Sequence, residues 1–241
     1  MQVDLYFEDC WFTMERMKMD GVEVDLAITS PPYLVEQDYE KDVEMVEYQD
    51  LLWSTYWNLA LVLKPGGYFV INFGDQARGK RFRETETHTT IPMSVTHWDC
   101  GTGVGLELQA TRVWRKKFAR MGIPFVCNHY PRPVFDYEHI WTWRKPDGVG
   151  KEIVRDRKLS QRGVLEFEDD HPLKRFPAAF PLGLPKWAIQ VYSDIGNLVY
   201  DPFMGSGTSG LAAISLDRRF IGSEIDENLR DTVENLLGLR S

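Results

Sequence analysis

Short apolar runs alternate with amphipathic stretches along the first third of the chain. Residues 24–28 and 68–73 are compact and mostly apolar, as buried parallel strands are. Between them, residues 48–63 repeat apolar positions at the spacing of one helical face, namely Leu52, Tyr56, Leu59 and Leu63. Lys64-Pro65-Gly66-Gly67 ends this helix. A strand, a helix and a second strand predict an α/β fold with a mostly parallel sheet.

The same patterning extends to both ends of the chain. We expect further strands at residues 3–7, 198–200 and 218–224. We expect further helices at residues 11–19, 186–192 and 211–216.

The middle of the chain has a weaker pattern. Residues 76–105 are predicted to be irregular. Residues 106–121 are predicted to form a helix whose inward side carries Leu106, Ala110, Val113, Trp114 and Phe118. Residues 124–128 and 138–143 predict two strands for which antiparallel pairing is plausible.

Composition narrows the class of protein. A chain of 241 residues suits one α/β domain with insertions, and no apolar run approaches the roughly 18 residues that span a membrane. The N-terminus has no basic region followed by an apolar one, so no signal peptide is expected. Cys10, Cys100 and Cys127 lack metal-ligand spacing and fit core thiols in a reducing cytoplasm. A net charge of −8 argues against indiscriminate coating of nucleic acid, although clustered positive charge could still bind DNA.

The segment Thr29-Ser30-Pro31-Pro32-Tyr33 follows the strand predicted at residues 24–28. Each proline lacks an N–H, fixes its own φ and restricts the residue before it. The result is a stiff, non-helical tip that presents the Ser30 hydroxyl, a proline carbonyl and the Tyr33 ring together. Taken by itself, the segment is equally typical of an ordinary turn that ends a strand and carries a surface tyrosine.

A glycine-rich turn, Asp201-Pro202-Phe203-Met204-Gly205-Ser206-Gly207-Thr208, stands between a predicted strand and a predicted helix. A strand, a glycine-rich turn and a helix bind nucleotide cofactors in open α/β sheets. Glu224 lies 17 residues after Gly207, at the end of another predicted strand. A carboxylate about 20 residues beyond such a turn supplies two acceptor oxygens to a ribose diol.

Together, the SPPY and DPFxGSGT motifs resemble those of the amino DNA methyltransferases, and their order resembles the beta class. The resemblance implies S-adenosylmethionine as methyl donor, S-adenosylhomocysteine as product, double-stranded DNA as substrate and no metal. It implies a class I methyltransferase (Rossmann-like) α/β fold with a mostly parallel sheet, one antiparallel segment and helices on both faces. We expect a single catalytic domain over residues 1–241.

The resemblance also implies the residues of the site. The catalytic residues would be Ser30, Pro31, Pro32 and Tyr33. Asp9 would lie near the cofactor's adenine, although it equally suits a helix N-cap. The other cofactor-binding residues would be Thr29, Phe180, Pro181, Asp201, Pro202, Phe203, Gly205, Ser206, Gly207, Thr208 and Glu224. The aromatic residue that the family has shortly after its counterpart of Glu224 is absent, since Asn228-Leu229-Arg230 stand there.

The chemistry expected of this family suits the tip. An exocyclic amine on a base is a poor nucleophile because its lone pair is delocalised into the ring. The Ser30 hydroxyl and the Pro31 carbonyl can accept hydrogen bonds from the two N–H groups of the amine. The Tyr33 ring can stack on a base flipped out of the duplex. No cysteine of this chain follows a proline, which argues against carbon-5 methylation of cytosine.

Two clusters of basic residues are predicted to contact DNA phosphates. One lies in the basic loop expected at about residues 76–105, and the other in a short recognition insertion expected at about residues 146–175. A solvated loop is the alternative for the first cluster. Their members are Arg78, Lys80, Arg81, Arg83, Lys151, Arg155, Arg157 and Lys158.

Several alternatives stay open from the sequence. The resemblance implies that Ser30, at the first position of the SPPY motif, favours cytosine-N4, with adenine-N6 as the alternative. A substrate other than DNA, or a catalytically inactive cofactor-binding protein, is a less favoured interpretation. Asp75 suits a loop cap better than a site residue, and His139 lacks the partners of a catalytic histidine. A homodimer and a cognate restriction endonuclease are plausible partners. We expect a cytoplasmic protein encoded by a bacterium, an archaeon or a phage.

Overall fold

A computed structural model describes residues 2–32, 45–78, 89–116, 136–146, 160–168, 170, 172 and 180–240. The helices within them are α1 (Cys10–Met19), α2 (Met45–Val62), α3 (Met93–Gly103), α4 (Gly183–Tyr192), α5 (Thr208–Ser215) and α6 (Arg230–Leu236). The strands are β1 (Val3–Tyr6), β2 (Val24–Thr29), β3 (Leu63–Phe73), β4 (Gln76–Arg78), β5 (Thr89–Ile91), β6 (Glu107–Arg115), β7 (Tyr137–Arg144), β8 (Val164–Leu165), β9 (Leu198–Asp201) and β10 (Arg219–Ser223).

Eight of the described strands form one sheet in the order β1-β10-β9-β2-β3-β7-β6-β8. The first five are parallel to their neighbours, whereas β7 runs antiparallel to both β3 and β6. The predicted mostly parallel sheet with one antiparallel segment is therefore confirmed.

Hydrophobic cores cover both faces of the sheet. Alternate residues of β2 and β3 point to opposite sides, as the two-residue period of a strand requires. On one side they meet α1, α2 and α3, and on the other they meet α4, α5 and α6. Cys10 and Cys100 are buried free thiols in the first of these cores, as predicted, while Cys127 lies outside the described residues.

The prediction of a helix at residues 106–121 is wrong for its described part. Residues 107–115 form β6, which pairs along its whole length with β7. The apolar positions of this short segment fit both the helical and the strand period. The antiparallel pairing with β7 decides in favour of the strand. Arg112 lies inward as a result, and its guanidinium donates to the carbonyls of Ser160 and Arg162.

The prediction that residues 76–105 are irregular is also wrong in part. Residues 93–103 form α3, and β4 pairs with β5 in a small second sheet. The buried positions of α3 are Met93, His97, Cys100 and Gly101, which follow helical spacing. Because two of these four buried residues are a histidine and a glycine, the sequence shows no clear apolar pattern at helical spacing.

Candidate active site

The candidate site lies at the carboxyl ends of β2 and β9. These strands are neighbours in the sheet, but the chain leaves β2 towards β3 and leaves β9 towards β10. The two connections therefore run in opposite directions and open a crevice between the strand ends. Ligands of open α/β sheets bind at such a switch point. The SPPY tip follows β2, and the glycine-rich turn follows β9.

A buried carboxylate joins the two strand ends. Asp201, which is 1% exposed, accepts hydrogen bonds from Thr29 Oγ1 at 2.6 Å and from the Phe203 N–H at 3.0 Å. Its other oxygen accepts from Ser209 Oγ at 2.5 Å. Burial raises the pKa of Asp201 to about 6, although the three hydrogen bonds lower it.

The glycine-rich turn has the backbone conformation that its glycines allow. Gly205 and Gly207 have φ values of +51° and +86°, which other residues rarely adopt. The Met204 N–H donates to the Ser223 carbonyl at 2.9 Å, so the turn is held against the end of β10. A Cβ on Gly205 would meet no atom within 4 Å, so the turn leaves open space where a ligand can approach the backbone.

Glu224 is fixed at the end of β10 beside this turn. Its backbone N–H donates to the Tyr6 carbonyl at 3.0 Å. One carboxylate oxygen accepts from the Gly205 N–H and the other from the Asp226 N–H, both at 2.9 Å. Burial raises the pKa of Glu224 above its ordinary value. Because each carboxylate oxygen has two lone pairs, both oxygens keep acceptor capacity for a diol.

Three further predicted cofactor residues lie outside the two motifs, before α1 and before α4. Asp9 caps α1 by accepting from the Trp11 N–H at 2.8 Å, which is the alternative role expected for it. Phe180 and Pro181 are buried, and the Pro181 carbonyl accepts from the Leu184 N–H in the first turn of α4. A role for these three residues in holding the cofactor stays a prediction.

The described part of the tip is partly covered. Thr29 and Pro31 are buried, whereas Ser30 and Pro32 are intermediate in exposure. Tyr33 lies outside the described residues, so its stacking role stays a prediction.

A second polar group lies one strand further along the same edge. Asp75 follows β3 and accepts from the Met93 N–H at 3.0 Å, so it caps α3. Its other oxygen lies 3.6 Å from Nε2 of His139, which stacks on Phe73. His97, fully buried behind them, bonds the Tyr56 hydroxyl through Nδ1, and burial lowers its pKa to about 3. A histidine that stays neutral in this way is part of the core.

Most residues predicted to bind DNA cannot be placed. Arg78 is the last residue of β4. The other seven lie outside the described residues: Lys80, Arg81, Arg83, Lys151, Arg155, Arg157 and Lys158. Their contacts with DNA stay a prediction, as does the recognition insertion at about residues 146–175.

Ser209 is a residue of the site that the sequence analysis missed. It stands in the first turn of α5, directly after the glycine-rich turn, and donates to Asp201. A buried acid that follows a strand needs several donors. The hydroxyl nearest to the motif was therefore a signal that could have been used.

Comparisons with known proteins identify the family and the fold. The fold of the chain is that of the class I methyltransferases. A family model described as DNA methylase, N6_N4_Mtase, matches residues 24–235, and the chain belongs to this family. The type II methyltransferase M.MjaI of Methanocaldococcus jannaschii is 29% identical, over 94% of this chain and 90% of its own length.

Solved structures share the fold. TTHA0409 of Thermus thermophilus, in complex with S-adenosyl-L-methionine, is 25% identical and has a TM-score of 0.71, covering 98% of this chain and 93% of its own. The PvuII DNA methyltransferase, cytosine-N4-specific by its name, is 20% identical with a TM-score of 0.71, covering 100% and 94%.

The chain is therefore a beta-class amino DNA methyltransferase that uses S-adenosylmethionine. The acceptor oxygens of Glu224 suit the ribose diol of this cofactor, and the open backbone at Gly205 leaves space for it. Within the described residues, no group of three or more His, Cys, Asp or Glu side chains could hold a metal ion. None of the described helices has the length and apolar character needed to cross a membrane.

Proposed function

We propose that this enzyme methylates the exocyclic N4 amino group of cytosine in double-stranded DNA. The observation that carries the proposal is the bond between Thr29 and Asp201, which holds the SPPY tip beside the glycine-rich turn. The acceptor amine and the methyl donor are thereby bound at neighbouring strand ends. Ser30, at the first position of the tip, favours cytosine over adenine.

The chain's own groups have a definite task in this reaction. The cofactor supplies a methyl group on a positively charged sulfur. The Ser30 hydroxyl and the Pro31 carbonyl accept hydrogen bonds from the two amino hydrogens, so the lone pair of the nitrogen localises towards the methyl group. The new nitrogen–carbon bond forms as the carbon–sulfur bond breaks, and the methylated nitrogen then releases one hydrogen as a proton. Positioning of this kind supplies much of the rate of such transfers.

Cysteine chemistry is not used in this proposal. Burial raises the pKa of both Cys10 and Cys100 to about 12, so neither forms the reactive thiolate readily.

The nucleoside that becomes methylated tests the proposal. Duplex DNA is incubated with the protein and labelled S-adenosylmethionine, digested, and analysed by nucleoside mass spectrometry. We expect N4-methylcytosine, and no product with Tyr33→Ala protein prepared in parallel. N6-methyladenine as the sole product would refute the cytosine assignment, and no labelled base in any DNA would refute the proposed function.

We further propose that the basic clusters contact the DNA backbone, and that the enzyme acts with a cognate endonuclease in the cytoplasm. Relatives such as M.MjaI are type II methyltransferases, which supports the setting of restriction and modification.

We infer that the face formed by α1, α2 and α3 binds a second copy of the chain. Trp53, Trp57 and Leu61 form a stripe along α2 at spacings of four residues, and they are 41%, 57% and 46% exposed. The helices packed on either side of α2 add four more exposed apolar side chains, which are Trp11, Phe12, Val95 and Trp98.

The extent of this face suits a dimer. A large aromatic side chain buries ~150–250 Å², so its five half-exposed aromatic rings offer roughly 500 Å². A standard interface takes about 800 Å² from each partner. A face of this size can pair with the same face of a second copy across a two-fold axis, which is the commonest symmetry of soluble oligomers.

A charge placed on the stripe is expected to separate the copies. Trp57→Glu buries a carboxylate in the interface and should shift the protein from dimer to monomer in sedimentation velocity at micromolar concentration. Ile195→Glu is the matched control, because Ile195 is 75% exposed in the turn before β9 and should leave the mass unchanged. A wild-type protein that sediments as a monomer at tens of micromolar would contradict the inference.

A further inference from the structure

The bond between Thr29 and Asp201 lies where the two strands stop pairing. The last backbone pair between β2 and β9 is Ala27 with Tyr200. Beyond it the chain turns away on both sides, towards the SPPY tip and towards the glycine-rich turn. Thr29 Oγ1 reaches Asp201 across this gap at 2.6 Å. It is a side-chain link in place of the missing strand pairing.

Three donors of the protein bind the Asp201 carboxylate. One oxygen accepts from Thr29 and from the Phe203 N–H, and the other accepts from Ser209. Thr29 and Asp201 are each 1% exposed, and Ser209 is fully buried. The side chain of Asp201 is therefore directed into the protein, below the crevice, and its hydrogen bonds organise the two walls of the crevice.

We infer that Thr29 and Asp201 are positioning residues, whose side chains set the distance between the methyl acceptor and the cofactor and contact neither. This inference deepens the proposed function and rests on it. Thr29 precedes Ser30 directly, and Asp201 holds the N–H of Phe203 in the glycine-rich turn. A change at the bridge therefore moves the acceptor groups relative to the donor.

Methyl transfer is sensitive to such a change. A misplacement of the reacting atoms by about 1 Å can cost about 100-fold in rate, while the binding of either ligand changes little. A residue that contacted the cofactor would have the opposite signature, with weaker binding and a nearly normal rate at saturation. The two roles are thus distinguishable by experiment.

Thr29→Val tests the bridge, since it keeps the shape of the side chain and removes the hydroxyl. We expect the single-turnover rate at saturating cofactor to fall 10- to 100-fold, with the Kd for S-adenosylmethionine within threefold of wild type by calorimetry. Thr29→Ser, which restores the hydroxyl, should recover most of the rate. Thr55→Val is the matched control, because Thr55 is a buried threonine of α2, outside the two bridged strands, whose hydroxyl donates to the Leu51 carbonyl.

The outcomes separate the bridge from the reaction itself. A tenfold weaker Kd with an unchanged saturated rate would make Thr29 a cofactor contact and overturn the inference, as would a Thr29→Val rate equal to that of wild type. If Thr29→Val does not fold, Asp201→Asn tests the same bridge. Its amide oxygen still accepts a hydrogen bond from Thr29, but a weaker one than the carboxylate accepts. A wild-type protein that methylates no DNA would refute the proposed function instead.

Discussion

Replacing Glu224 by glutamine is expected to weaken the binding of S-adenosylmethionine about 100-fold, or ~2.7 kcal/mol. Both carboxylate oxygens accept backbone N–H groups, from Gly205 and from Asp226. A glutamine has only one acceptor oxygen, so its NH2 group would face one of these donors. The turn at Gly205 would shift, and the proposed acceptor for the ribose diol would be lost with it.

The measurement is titration calorimetry with S-adenosylmethionine, accompanied by a thermal melt of each protein. Glu227→Gln is the matched control, since its carboxyl side chain is 75% exposed and pairs with Arg230 at the surface. We expect its affinity to equal that of wild type. An unchanged affinity in Glu224→Gln would show that this carboxylate does not hold the cofactor.

The two elements that carry the site were predictable because each combines a local signal with a strand. Two prolines after a buried strand leave few conformations for the tip. The glycines of the turn stand where positive φ values are needed, and Gly205 and Gly207 adopt them. Signals of this kind depend on neighbouring residues, so one sequence is sufficient to find them.

The link between the two elements was not predictable in the same way. Thr29 and Asp201 are 172 residues apart, and only the order of strands in the sheet brings them together. β6 shows the same limit, since its strand conformation depends on β7. Its local pattern fits a helix equally well. Long-range pairing decides both cases, and no window of sequence contains it.

Gly101 shows how such pairing can reverse a local rule. In an ordinary helix, alanine stabilises relative to glycine by about 1 kcal/mol. Gly101 lies within α3, but a Cβ there would stand 2.4–2.6 Å from three ring atoms of Trp143 on β7. Trp143 is fully buried and packs edge-to-face on Tyr56, so the ring has little room to move.

We therefore expect Gly101→Val to destabilise the protein by ~3 kcal/mol or more, and Gly101→Ala by ~1–3 kcal/mol, because overpacking outweighs helix propensity. At about 2–4 °C per kcal/mol for a chain of this size, Gly101→Ala should lower the Tm by roughly 2–12 °C in calorimetry. Gly163→Ala is the control, because a Cβ at Gly163 would meet nothing within 4 Å, and its Tm should equal or slightly exceed that of wild type. A Gly101→Ala protein as stable as wild type would mean that α3 can move away from the sheet. The packing of the Trp143 ring between α3 and the sheet would then not support β3, the strand next to the one that carries the SPPY tip.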